Sequence, residues 1–196
     1  MAQWALPELG PAERRAVIPK LIELLGDNKH QPDQISETAG ASYLVLSKMA
    51  PESIAALTDA LSSKNIIVWA LAAAALGEIG PGAKSALPVL QKRLSDKDPN
   101  IRVSSAAIIG KIGGEPDEFV PVVIQCLPVI NWETVGYALD LLVRYKDYAK
   151  DAIPVLEKIL NNTPDSSNPT NRTVRTEVIA ALRQIDPEAA SRAGVQ

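Results

Sequence analysis

The sequence predicts an all-α chain, a right-handed α-α superhelix (α-solenoid) of about five helix pairs. Three observations predict it. A short motif returns every 33 residues, apolar positions fall at helical spacing in both halves of each unit, and turn-forming residues recur at one phase of the repeat.

The motif is a Pro or Ala, an apolar residue two positions later and a Leu six positions later. It occurs as Pro19/Leu21/Leu25, Ala55/Leu57/Leu61, Pro88/Leu90/Leu94, Pro121/Val123/Leu127 and Pro154/Leu156/Leu160. The first anchor interval is 36 residues and the next three are 33 each. Each second half keeps the same step. Val68, Ile101 and Thr134 stand thirteen residues after their anchors, with Ile35 and Val174 as counterparts in the end repeats once insertions are allowed. Ala72, Leu76 and Ile79 then continue one helical face in the second repeat, as do Ser105, Ile109 and Ile112 in the third and Ala138, Leu142 and Tyr145 in the fourth.

Punctuation agrees with this reading. Asn65, Asp98, Asn131 and Asn171 precede the second helix of their units, where a side-chain oxygen can satisfy free backbone N–H groups. Pro99 fits a first turn, and the anchor prolines are expected early in the first helices. Gly80 and Gly82 close the second repeat, and Gly113 and Gly114 the third. Helices are therefore expected at about 12–25, 33–48, 51–62, 65–79, 83–95, 99–112, 117–129, 132–146, 149–161 and 171–185. The whole of 1–196 reads as a single domain, with repeats at about 12–48, 51–80, 83–114, 117–146 and 149–186. Partial repeat elements lie at 1–11 and 187–196. LPELGPAERRAV at the start parallels LGEIGPGAKSAL between the second and third repeats, and IDPEAASRA near the end parallels IGPGAKSA. The expectation is a segment of a longer array, because solenoids normally close on polar caps.

Residues 75–113, ALGEIGPGAKSALPVLQKRLSDKDPNIRVSSAAIIGKIG, resemble the HEAT-like repeat of the phycobilisome-lyase type. The resemblance covers roughly residues 12–186 and is strongest in the second and third repeats. HEAT repeats also carry an aspartate in the turn and an arginine six residues later. Asp96 and Arg102 match, but the equivalent pairs Ser63/Trp69 and Val129/Val135 do not, so no continuous polar ladder is expected. The resemblance implies that the second helices line a concave face.

Composition narrows the function. A net charge of −3 and a pI of about 5.3 give no basic footprint for nucleic acid. The longest apolar run, Ile66–Leu76, has eleven residues against the roughly 20 that a membrane span needs. The start of the chain lacks a secretory pattern, and one cysteine, Cys126, forms no internal disulfide. A cytoplasmic setting is the default, in which the glycosylation sequons at Asn161 and Asn171 have no role.

Catalytic groups are sparse. His30, the single histidine, sits in a polar turn with no second histidine to share a metal. Cys126 reads as a small packing residue. Asp96 and Asp98 suit capping better than acid–base work. No catalytic residue, cofactor site or metal site is expected, and the partner is a protein or peptide. Positions eleven, twelve, fifteen and sixteen after each anchor project away from the core: Ile66, Ile67, Ala70 and Leu71; Pro99, Asn100, Val103 and Ser104; Trp132, Glu133, Gly136 and Tyr137; Arg172, Thr173, Thr176 and Glu177. From these, with Trp69 one step away, comes a binding strip of Ile66, Trp69, Leu71, Val103, Trp132 and Tyr137, since a few aromatic anchors can supply most of a binding energy. The opposing reading makes the tryptophans core. A second candidate is the pair of long turns, near Asp27–Asp33 and Asn161–Asn171, which should emerge on one edge.

Two other functions compete with a scaffold. The family resemblance alone suggests a subunit of a bilin lyase, although the nearly neutral strip lacks basic partners for propionates. A helical-repeat DNA glycosylase would need a cationic groove, which the acidic pI opposes.

Overall fold

The computed structural model describes residues 9–27, 35–163 and 169–192. Among them there is no strand. The helices are α1 (Pro11–Leu25), α2 (Glu37–Lys48), α3 (Ile54–Ala60), α4 (Ile66–Ile79), α5 (Leu87–Arg93), α6 (Pro99–Ile112), α7 (Pro116–Cys126), α8 (Trp132–Arg144), α9 (Ile153–Asn162), α10 (Pro169–Ile185) and α11 (Pro187–Arg192). The chain divides into two compact units, residues 1–90 with 111–113, and residues 91–110 with 114–196.

In the first unit α1 packs on α2 and α3 on α4, while α2 also packs on α4 and α1 on α3. Helix pairs thus stack on helix pairs, as in an α-solenoid. Leu25, Leu46, Leu57, Leu61 and Leu76 fill the space between them and are fully buried. In the second unit α8 packs on α10, α9 on α10, and α10 on α11. Phe119, Val123, Leu142, Leu156 and Leu182 form its fully buried apolar centre.

Side-chain caps account for several of the helix starts. Asn65 accepts from the Ile67 N–H at 2.9 Å, Asp98 from the Asn100 N–H at 2.8 Å and Asn131 from the Thr134 N–H at 2.9 Å. Asn171 is the exception. Pro169 suits the first turn of a helix, so α10 starts two residues earlier and Asn171 lies inside it. Asp186, followed by Pro187, repeats the Asp98–Pro99 arrangement: its carboxylate accepts from the N–H groups of Glu188 (2.9 Å) and Ala189 (3.0 Å) and starts α11.

The anchor prolines divide into two groups. Pro88 and Pro154 stand in the first turns of α5 and α9, and 3-10 segments (Gly80–Ala86, and Lys146–Tyr148 with Lys150–Ala152) precede them in place of α-helix. Pro19 and Pro121 instead lie inside α1 and α7, because Pro11 and Pro116 start those helices well upstream. Each removes one intrahelical hydrogen bond.

The helical run Ile66–Arg93 is apolar and long enough by composition to cross a membrane, yet half of its most apolar window is buried inside the fold. That is the behaviour of a core helix. Gly80 turns the run with φ 67°, a conformation that L residues rarely adopt. A Cβ there would meet only the Lys111 carbonyl, at an ordinary 3.8 Å. The cost of Gly80→Ala is therefore backbone strain rather than collision, and should exceed about 1 kcal/mol in chemical denaturation.

Candidate protein-binding surface

Burial sorts the residues of the expected strip. In the first unit Ile66 is exposed (54%), but Trp69 and Leu71 are buried, at 5% and 6%. The projection assumed one buried stripe on each second helix. Helix α4 has α2 on one flank and α3 on another, so it buries a wider arc that includes Trp69, Leu71, Ala72, Ala75 and Leu76. Leu71 therefore leaves the strip, and Trp69 belongs to the core.

Val103 leaves the strip for a similar reason. It is fully buried on α6, where Val103, Ala106 and Gly110 make a second inward stripe beside Ser105, Ile109 and Ile112. The Gly110 carbonyl accepts a hydrogen bond from the Tyr145 hydroxyl at 3.0 Å. Trp132 opens α8, but its side chain lies outside the described residues. Tyr137, in the second helix of the fourth repeat, is 67% exposed.

The second helices α8 and α10 leave a groove of about 200 Å³ between them. Leu139, Val143 and Ala180 supply its apolar lining, and Asp140 and Glu177 bring carboxylates to it from the two helices. Gly136 contributes no side chain, and the Glu177 Oε2 lies 3.7 Å from where a Cβ would stand there. Neither carboxylate makes a hydrogen bond or ion pair among the described residues. Tyr137 and Asp140 are three residues apart and share a face of α8. That spacing was the signal for Asp140, which a strip built from large apolar residues passes over.

A larger groove, about 350 Å³, lies against the long turn of the fifth repeat. Leu127, Pro128, Ile130, Val155, Ile159 and Val174 make it mostly apolar, and Asn162 and Asn171 stand among its polar lining. The part of that turn at 164–168 lies outside the described residues, as do His30 and most of the first long turn.

The polar residues of the turns are structural. Arg102 donates to the carbonyls of Asp96 (2.8 Å) and Lys97 (3.3 Å) and to the Cys126 Sγ (3.2 Å). Cys126 itself is fully buried. The Asp96 carboxylate is held below the usual carboxylate range, first by the Asp98 backbone N–H and then by Arg93 at 2.9 Å, against the opposing effect of burial. In the fifth repeat Arg175 does the work of Arg102, donating to the carbonyls of Leu160 (2.9 Å) and Thr163 (3.1 Å). The seven-residue insertion before it hid this match from a fixed-period search. In the first unit Tyr43 is shifted upward, by burial and then by the charge of Glu78. Among the described residues no group of His, Cys, Asp and Glu is placed to hold a metal ion.

Comparison with known proteins bears on the repeat. Residues 54–135 match the family model for HEAT repeats. No curated protein matches the chain. Among solved structures, the crystal structure of an engineered protein from the Northeast Structural Genomics Consortium is similar to it with a TM-score of 0.53 and 20% identity, over 90% of this chain and 85% of that one. This likeness is one of fold.

Proposed function

We propose that the chain is a non-catalytic scaffold that holds a protein partner on the exposed side of its second helices. HEAT repeats, which residues 54–135 carry, commonly serve as protein-interaction scaffolds. The observation that supports the reading most directly is Tyr137, a large aromatic left two-thirds exposed on α8. An exposed aromatic is the kind of residue from which interface anchors are made.

Selection of random twelve-residue peptides displayed on phage against the full chain tests it. Enriched peptides should lose affinity by about tenfold on Tyr137→Ala, with the melting temperature unchanged because the ring contributes little to the core. Absence of enrichment, or binding indifferent to Tyr137→Ala, overturns the assignment of this face.

A further inference from the structure

We infer that the larger groove of the second unit holds a partner peptide in which aliphatic side chains adjoin a carboxylate. The turn between α7 and α8 points there first. At this phase of the repeat the chain carries Ser62, Ser63 and Lys64, then Ser95, Asp96 and Lys97, but in the fourth repeat Pro128, Val129 and Ile130. That turn is apolar without being packed away: Pro128 is exposed and Val129 is 63% exposed. Adjoining apolar groups left in water mark interaction sites. Pro128 and Ile130 line the groove of about 350 Å³, and Val155 and Ile159 of α9 with Val174 of α10 continue its apolar wall.

Charge then selects the occupant. Among the described residues that line the groove, Lys158 carries the only charge, and it makes no hydrogen bond or ion pair. Their spacing on α9 sets Val155, Lys158, Ile159 and Asn162 on one face, so an exposed ammonium borders an aliphatic wall. Asn162, also exposed, offers an amide that both donates and accepts, as a peptide main chain requires. Val155, Ile159 and Val174 are half-buried, which leaves the groove open to solvent. An open groove suits a peptide laid across it better than a small molecule, which its pocket buries by roughly 70–90%. Residues 164–168 of the chain itself, Pro-Asp-Ser-Ser-Asn, offer a carboxylate but no Leu, Ile or Val.

Titration of the isotope-labelled full chain with N-acetyl-Leu-Leu-Glu amide and N-acetyl-Glu-Leu-Leu amide, followed by NMR, tests the inference. At least one should shift the amide signals of Ile130, Val155, Lys158, Asn162 and Val174. The same peptide with Gln for Glu should bind several-fold more weakly, as befits an exposed ion pair, and one with Ser for both Leu should leave the signals in place. Lys158→Glu should reverse the preference, so that a Lys-containing peptide now binds better than its Glu counterpart. Should that variant lose its fold by circular dichroism, salt supplies the second arm, because raised ionic strength must weaken the Glu peptide more than the Gln one. No response at these signals, equal response to Glu and Gln, or a preference that neither Lys158→Glu nor salt alters overturns the inference. Two other occupants would overturn it as well. Groove signals that move with protein concentration before any peptide is added identify a second copy of the chain, and a rise in peptide affinity on Asp165→Asn identifies the chain's own turn. Tyr137→Ala should leave the peptide affinity unchanged, since Tyr137 does not line this groove, so this site and the scaffold reading above stand or fall separately.

Discussion

Trp69→Ala should destabilise the protein by about 3–5 kcal/mol, the cost of emptying a large aromatic site in a packed core. The indole is 95% buried on α4, with α2 and α3 packed on that helix. In a chain of this size such a loss lowers the thermal midpoint by on the order of 10 °C, read by circular dichroism because the substitution removes a fluorophore. The indole Nε1 is buried with no hydrogen-bond partner among the described residues. Leaving such a donor unsatisfied costs roughly 1–3 kcal/mol, so Trp69→Phe, which keeps an aromatic ring and discards the donor, should cost far less than the alanine change. An independent check is acrylamide quenching with Trp69 as the sole tryptophan, Trp4 and Trp132 having been replaced by Phe; it should be well shielded. Free access of quencher, together with a small stability loss, would return Trp69 to the surface strip.

Trp69 also shows where the sequence was legible and where it was not. The 33-residue step, the helix pairing and the caps at Asn65, Asp98 and Asn131 follow from local chemistry, and the helices lie where that chemistry puts them. What local periodicity cannot carry is the number of neighbours a helix has. A surface helix buries one stripe, but α4 is flanked by its own partner α3 and by α2 of the preceding repeat, so positions projected outward, such as Leu71, turn inward. Val103 on α6 is likewise fully buried, in line with Ala106 and Gly110. Arg175 was hidden differently: its chemistry matches Arg102, but the inserted residues broke the register by which it would have been found. On the outer face the projection is better. Ile66, Ala70, Tyr137, Arg172, Thr173 and Thr176 are exposed, because nothing among the described residues packs over those positions. The candidate groove needed the structure, since its floor and its two carboxylates come from helices far apart in sequence.

The second large effect is expected at Phe119, whose replacement by alanine should cost about 3–5 kcal/mol. Phe119 is fully buried on α7, and its ring meets that of Tyr145 edge-on, with centroids 5.1 Å apart and planes at 80°. Tyr145 in turn donates to the Gly110 carbonyl on α6, so one aromatic pair joins the third repeat's second helix to the end of α8. The parts of this cluster can be separated. Tyr145→Phe keeps the ring contact and removes only the hydroxyl, and should cost about 1 kcal/mol. A cycle built from Phe119→Ala and Tyr145→Ala should return a coupling of about 0.5–1.5 kcal/mol beyond the lost area. Gly110→Ala tests the same spot from the other side, because its Cβ would stand 3.2 Å from the Tyr145 ring and hydroxyl and 3.3 Å from Leu141. At these distances the neighbours must give by a few tenths of an ångström, and a cost of about 1–3 kcal/mol is expected. If denaturation shows Phe119→Ala to be mild and Gly110→Ala neutral, the cluster is loosely packed, and the rigid support it gives α8, on which the groove residues Gly136 and Asp140 stand, would have to come from α10 alone.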